Sequence, residues 1–220
     1  MDPVLLGAHL KSMTTEARKR GFGQIRIMVV FRRQDQWLAS KYAQRSDRIA
    51  GASQNQFEER IDYYLRQSRG YYADGLILDY DFLYEEICRA IGAANALLLP
   101  YELLKAEPVK FLNLMCDFIS PGDSQVRELI SSIGLRAASK KTNVRSQGSS
   151  EWALRKPKTN ASPQHLSETL SRMFLRAGHP PGSIRLTPDL TQKILATYRQ
   201  SNASLGEKLD LDLGAFGYFG

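Results

Sequence analysis

The sequence predicts an α/β fold in which a parallel sheet is flanked by helices and the C-terminal half is rich in helix. Residues 25–31 and 95–100 predict the sheet, because both runs are apolar along nearly their whole length and are as short as strands. Strands of this kind are covered on both faces, as in parallel sheets. Two strands are too few to fill such a sheet, so we expect the α/β arrangement to be incomplete.

The rest of the chain carries mostly helical spacing of apolar residues, and its 220 residues suit a single domain over residues 1–220. The predicted helices span residues 4–20, 35–45, 56–67, 79–91, 108–118, 125–133, 163–176 and 188–200, and the last continues or restarts over 202–209. Gly21 and Gly23 end the first helix, Asp35 can cap the second, and Pro108 opens the fifth. A loop is predicted over residues 134–150.

The cysteines and the chain start indicate where the protein resides. Cys88 and Cys116 lie far apart inside helical patterns and no Cys/His cluster is present, so we expect two buried reduced thiols and no metal. The first ten residues lack the basic region of a secretory signal, and no apolar run approaches the length of a membrane span. We therefore expect a cytoplasmic protein without a membrane span.

The net charge of +7 is concentrated in one region, residues 136–158, where seven basic residues stand against Glu151. The basic residues are Arg136, Lys140, Lys141, Arg145, Arg155, Lys156 and Lys158. Such a block favours an anionic partner, and the alternative is a solvated basic loop.

The stretch VVFRRQDQWLASKYAQ places Arg32 at the end of the first predicted strand and Ser40 eight residues later, inside a helix. Ligands of open α/β sheets bind beyond the carboxyl ends of strands. A guanidinium fork, the N-terminus of a helix and a hydroxyl together suit a phosphate. From spacing alone we favour the simpler interpretation, in which Arg32 and Arg33 are surface residues at a strand end.

The longer stretch IRIMVVFRRQDQWLASKYAQ resembles the 3′-phosphate-binding segment of sulfotransferases that use 3′-phosphoadenosine 5′-phosphosulfate (PAPS). In that family a strand ends in Arg, and a Ser follows eight positions on, within S-x-Y-x-Q in the carbohydrate-type branch. Arg32, Ser40, Tyr42 and Gln44 match this pattern. The resemblance implies that Arg32 and Ser40 bind the 3′-phosphate, and it gives Arg33 no role.

Three later stretches resemble the same family, in the same order. LLLPYELLKAEPVKF is similar to a strand, a PYE segment and a helix opened by proline, in which Glu102 would be structural. TNVRSQGSS is similar to a loop near the nucleotide, and ATYRQSN to a C-terminal helix. The resemblance implies a fold like that of P-loop NTPases, with Lys141, Asn143 and Arg145 of the basic loop covering the nucleotide.

The family's loop for the 5′-phosphosulfate, of the type P-K-x-G-T-T, has no clear counterpart. LKSMTT, at residues 10–15, lacks the glycine and lies in a predicted helix, so we expect Lys11, Thr14 and Thr15 on its solvent face. We therefore expect an N-terminally incomplete domain that is weakly active or inactive alone. His9 is a weak candidate for the catalytic base, and an exposed helix histidine is the favoured alternative.

The sequence thus predicts a sulfotransferase-like protein that transfers a sulfuryl group from PAPS to a hydroxyl of a saccharide or related acceptor. Adenosine 3′,5′-bisphosphate would be the product, no metal would be needed, and modification of a bacterial polysaccharide would be the setting. The alternatives are a non-catalytic nucleotide-binding module and a nucleic-acid-binding helical protein that uses the basic loop. Nucleic acid is disfavoured because the basic residues lie in a loop and not along one helix. The unfilled sheet edges leave association between copies open.

Overall fold

The computed structural model describes residues 3–66, 71–72, 76–139, 150–155 and 182–220. The α-helices are α1 Pro3–Lys19, α2 Gln34–Arg45, α3 Gln54–Leu65, α4 Tyr80–Ile91, α5 Tyr101–Ala106, α6 Pro108–Ile119, α7 Ser124–Ser139 and α8 Pro188–Leu209. The strands are β1 Ile27–Phe31, β2 Tyr71–Tyr72, β3 Leu76–Ile77, β4 Ala96–Pro100, β5 Glu151–Ala153 and β6 Ser183–Arg185. The α/β class is therefore confirmed, with helix predominating.

Strands β1 and β4 form the predicted parallel pair, in register from Ile27↔Ala96 to Phe31↔Pro100. One face of this pair packs against α4, α8 and the C-terminal residues through a cluster of buried side chains. That cluster contains Phe31, Tyr80, Ile87, Leu98, Leu205, Leu213 and Tyr218. Because parallel strands run in the same direction, both carboxyl ends lie at one edge of the sheet, as the phosphate hypothesis requires.

The other face of the pair is covered unevenly, which corrects the prediction that both faces are buried. On β4, Leu99 is buried against Leu103 and Phe111. Its neighbours across the pair on β1, Met28 and Val30, are exposed. Alternate residues of a strand share a face, and α5 and α6 cover the β4 half of this face. Among the described residues, β1 and β4 pair with no other strand.

A second core lies where α2, α3 and α8 meet the short antiparallel pair of β5 and β6. Trp152 and Ile184, which are register partners in that pair, are both buried. They join Leu38, Phe57 and Ile194 from the three helices. The sequence did not predict these strands, because each has three residues and a single buried side chain.

Several helix boundaries differ from the predicted ones. α7 continues to Ser139, past Gly134, which was predicted to begin the basic loop. Gly134 faces α6 instead, since a Cβ there would lie 2.5 Å from the Leu112 side chain. α5 was not predicted. The last predicted helix was expected to continue or to restart over residues 202–209, and α8 is one continuous helix to Leu209. The predicted helix over 163–176 lies outside the described residues.

The expectations for the cysteines and for membrane spans have clear outcomes. Cys88 and Cys116 are both free thiols, and Cys116 is buried whereas Cys88 is half-buried. Within the described ranges, no helix combines the length and apolar character needed to cross a membrane.

Candidate functional site

The carboxyl-terminal edge of the β1–β4 pair brings together two short polar segments. β1 ends at Phe31, and Arg32 and Arg33 connect it to α2. β4 ends at Pro100, and α5 begins directly with Tyr101 and Glu102. The two arginines of the strand end, which look equivalent in the sequence, have different partners at this edge.

Arg32 is half-buried and held by neutral groups. Its Nη2 donates to Oε1 of Gln36 over 3.2 Å, and its Cζ lies 5.5 Å from the centroid of the Tyr101 ring. Its carbonyl accepts a hydrogen bond of 2.7 Å from the Tyr80 hydroxyl, which fixes the backbone. No carboxylate within the described ranges forms an ion pair with Arg32. The guanidinium is therefore positioned without being neutralised.

Arg33, by contrast, is engaged by acidic groups. Its Nε and Nη2 donate to the two carboxylate oxygens of Asp35 over 2.7 Å and 2.9 Å. Its backbone N–H donates to Oε1 of Glu102 over 3.2 Å. The hydrogen bond to Asp35 is the largest influence that raises the pKa of Arg33. Asp35 is completely buried in the first turn of α2, so the prediction that it caps this helix is wrong.

Glu102 links the sheet edge to the C-terminal residues. While its Oε1 accepts from the Arg33 backbone, its Oε2 accepts from the Tyr218 hydroxyl over 2.8 Å. Burial, and next the Glu102 carboxylate, raises the pKa of Tyr218. Gly217 has a φ of 77°, and a Cβ there would lie 2.7 Å from Nη1 of Arg33. The close approach of the C-terminal residues to Arg33 therefore requires glycine.

A buried amide pair completes this network on the side of α8. Nε2 of Gln34 donates to the Leu78 carbonyl over 3.1 Å and to Oδ1 of Asn202 over 2.8 Å. Nδ2 of Asn202 donates to the Tyr218 carbonyl over 3.1 Å. Asn202 belongs to the ATYRQSN stretch that resembles the sulfotransferases, and here it ties α8 to α2 and to the C-terminal residues. We call Arg33, Gln34, Asp35, Glu102, Asn202 and Tyr218 the buried network.

Ser40 lies on the same face of α2 as the group that holds Arg32. It follows Gln36 by four residues, and side chains at this spacing lie one above the other on a helix. The rise between them is about 6 Å along the helix axis. Ser40 is half-buried, and its hydroxyl has no hydrogen-bond partner in the described part of the chain. The Ser40 side chain therefore lies one helical turn beyond the residue that holds Arg32.

Two further features near Arg32 favour an anion. α2 begins at this edge without a side-chain hydrogen bond at its N-cap, so the positive end of the helix dipole lies here. Nζ of Lys105 lies 5.1 Å from the same Tyr101 centroid, on an exposed side chain. Sequence reasoning missed Lys105 because α5 was not predicted, although Tyr101 and Lys105 have helical i, i+4 spacing.

Of the remaining predicted site residues, His9 is the one that lies within the described ranges. His9 is exposed on α1, and no hydrogen bond or ion pair between described residues joins it to Arg32 or Ser40. Lys141, Asn143 and Arg145 lie outside the described residues. Across the described ranges, no group of acidic, His or Cys side chains could hold a metal ion.

The stretch LKSMTT lies inside α1, as predicted, and is not a phosphate loop between a strand and a helix. Lys11 and Thr15 are exposed, as expected. Thr14 is buried, which corrects its prediction, and its Oγ1 donates to the Lys11 carbonyl over 2.9 Å. Thr14 lies one turn after Leu10 and two turns after buried Leu6, so it shares the inner face of α1.

No protein-family model, curated protein or solved structure matches this chain.

Proposed function

We propose that this protein is a sulfotransferase-like nucleotide-binding protein that holds the 3′-phosphate of PAPS, or of its product adenosine 3′,5′-bisphosphate, with Arg32 and Ser40. The observation that carries the proposal is the set of partners around the Arg32 guanidinium. Its guanidinium is fixed by Gln36 and Tyr101 at the carboxyl-terminal edge of a parallel pair, but it has no carboxylate partner among the described residues.

The surroundings of Arg32 suit a phosphomonoester. A guanidinium donates two parallel hydrogen bonds to phosphate oxygens, and Ser40 adds a hydroxyl on the same face of α2. The start of α2 adds the positive end of the helix dipole. Lys105 adds a second positive charge near Tyr101. The neighbouring Arg33 contributes little net charge, because Asp35 neutralises it.

The proposed reaction is transfer of a sulfuryl group to a hydroxyl of a saccharide or related acceptor. PAPS supplies the sulfuryl group when bound, and adenosine 3′,5′-bisphosphate is what remains after transfer. The part assigned to Arg32 and Ser40 is to bind and orient the nucleotide at its 3′-phosphate. A base must also accept the proton of the acceptor hydroxyl, and this role is not assigned to a residue.

Nucleotide binding without transfer is a second candidate function. It is favoured by the position of LKSMTT, the stretch closest in composition to a phosphosulfate loop, within α1. Both candidates require the site around Arg32, and they differ in whether sulfate is released to an acceptor.

Isothermal titration calorimetry with adenosine 3′,5′-bisphosphate tests the shared requirement. We expect saturable binding, and we expect Arg32→Ala to weaken it about tenfold to a hundredfold, the range for hydrogen bonds to a charged group. Arg48→Ala, which removes an exposed arginine just beyond α2, is the matched control and should bind like the wild type.

Absence of binding by folded protein, or equal loss in both variants, would reject the site. Strong salt-sensitive binding of DNA in place of the nucleotide would favour the nucleic-acid alternative. Transfer of labelled sulfate from PAPS to an acceptor separates the enzyme from the binding module.

A further inference from the structure

Arg32 and Lys105 reach the same aromatic ring from different elements. The Tyr101 centroid lies 5.5 Å from Cζ of Arg32 and 5.1 Å from Nζ of Lys105. These two distances together put the cations at most about 11 Å apart, close to the Debye length of about 10 Å at roughly 0.1 M salt. Their charges therefore repel each other, and neither cation forms an ion pair with a carboxylate within the described ranges.

The acidic residues nearest to these cations in the sequence have other partners. Asp35 pairs with Arg33, and both carboxylate oxygens of Glu102 accept hydrogen bonds within the buried network. Oε1 of Glu107 lies 3.9 Å from Nζ of Lys110. An anionic ligand beside the Tyr101 ring would therefore relieve a repulsion that the described carboxylates leave in place.

The two cations differ in how firmly they are held. Arg32 is half-buried, and Gln36 fixes its guanidinium over 3.2 Å. Lys105 is exposed and carries its ammonium on a flexible stem. The Lys105 ammonium lies near a neutral ring, so it loses no ionic partner when it turns to a ligand that Arg32 has bound. The edge thus combines a fixed guanidinium fork with a flexible ammonium.

A terminal phosphate and a phosphodiester offer different groups to such a pair of cations. A terminal phosphate carries about 1.5 to 2 negative charges at neutral pH and presents three free oxygens. A phosphodiester carries a single charge and presents two free oxygens. The Arg32 fork takes two oxygens in either case. Only the terminal phosphate then leaves a further oxygen and further charge for Lys105.

We propose that Lys105 makes the Arg32 site selective for a terminal phosphate over a phosphodiester. This inference rests on the proposed nucleotide function and adds the residue that determines which phosphates the site accepts. It follows that the free 3′-phosphate of a nucleotide binds more tightly than an internal phosphate of a nucleic acid.

Isothermal titration calorimetry with two matched ligands tests the selectivity. The ligands are adenosine 3′,5′-bisphosphate and the same molecule with a methyl ester on its 3′-phosphate, which is a phosphodiester. We expect the wild type to prefer the bisphosphate. Lys105→Gln should weaken binding of the bisphosphate about fivefold, the upper range for one exposed ion pair, and change binding of the methyl ester less than about twofold. Lys105→Arg keeps the charge and should keep the preference.

Lys19→Gln is the matched control, because it removes the same charge from an exposed side chain on α1. No hydrogen bond or ion pair between described residues joins Lys19 to Arg32 or Tyr101, so both affinities should stay those of the wild type. Circular dichroism establishes that each variant folds.

Two kinds of failure can be told apart. Equal weakening of both ligands in Lys105→Gln, or no change in either, would overturn the role of Lys105 and leave the Arg32 site standing. If the wild type binds neither ligand, or if Arg32→Ala binds both like the wild type, the proposed function fails and the selectivity fails with it.

Discussion

Arg32 and Arg33 are adjacent in the sequence, but their side chains enter different surroundings at the same sheet edge. Arg33 pairs with a completely buried carboxylate and belongs to the buried network. Arg32 rests on a neutral amide and an aromatic ring, and its charge is not matched by a carboxylate in the described part of the chain. Arg33 is thus tied into the fold by an ion pair, whereas the proposed anion site depends on Arg32, which lacks one within the described ranges.

The largest effect that we expect on stability is from Arg33→Ala. It leaves the Asp35 carboxylate buried without its partner, and breaking a buried ion pair in this way costs about 3–5 kcal/mol of the free energy of unfolding. Urea denaturation followed by circular dichroism measures this loss. Replacing both residues, as Arg33→Met with Asp35→Leu, should recover part of it, because the uncompensated charge is then removed. If Arg33→Ala were as stable as the wild type, the ion pair between Arg33 and Asp35 would not stabilise the fold.

A smaller loss is expected from Asn202→Leu, which breaks the network on the side of α8. This substitution leaves the Gln34 amide and the Tyr218 carbonyl with fewer hydrogen-bond partners in a buried place. Gln34 keeps its bond to the Leu78 carbonyl, so we expect a total cost of about 1–3 kcal/mol, the range for one buried polar group left unsatisfied. Ser201→Ala, at the neighbouring half-buried position, is the control and should change the urea midpoint little. Equal effects of the two variants would argue against a stabilising role for the hydrogen bonds between Gln34 and Asn202.

Tyr218→Phe tests the C-terminal end of the network and should cost about 1 kcal/mol, the usual net value of one hydrogen bond. Its second effect concerns pH. Burial raises the pKa of Tyr218 in the folded protein, so the contribution of the neutral hydroxyl is complete below the unfolded pKa of about 10. Stability should then fall as the pH rises above that value.

Burial raises the pKa values of Tyr80 and Tyr198 as well, so part of the alkaline loss will remain in Tyr218→Phe. The comparison of interest is the slope of unfolding free energy against pH, which should be shallower in the variant. An unchanged slope would indicate that Tyr218 does not contribute to it.

The sequence predicted the strands and the helix that form this edge of the sheet, but not the long-range hydrogen bonds that join them. Apolar runs and helical spacing located β1, β4 and α2, because these signals extend over a few neighbouring residues. The partner of the Arg33 backbone, Glu102, is 69 positions away, and the partner of Glu102, Tyr218, is 116 positions away. No local pattern carries such contacts, and Arg33 could therefore be given no role.

Burial was predicted least well where it depends on neighbours from other elements. Met28 and Val30 are apolar and were expected to be buried, but α5 and α6 pack against β4 instead and leave them exposed. Thr14 is polar and was expected on the surface, yet it is buried on the inner face of α1. Arg32 does follow a strand and Ser40 does lie in a helix, as predicted, because a strand end and a helix register are both local signals. That they bind a phosphate stays a prediction.

The most direct test of the account is to measure stability and nucleotide binding together in Arg32→Ala. We expect its free energy of unfolding to fall by about 1–2 kcal/mol, less than for Arg33→Ala, since one hydrogen bond to a neutral amide and one cation–π contact are lost. Its affinity for adenosine 3′,5′-bisphosphate should fall at least about tenfold in calorimetry. A variant that loses several kcal/mol of stability, or that binds the nucleotide as tightly as the wild type, would contradict the division of roles between Arg32 and Arg33.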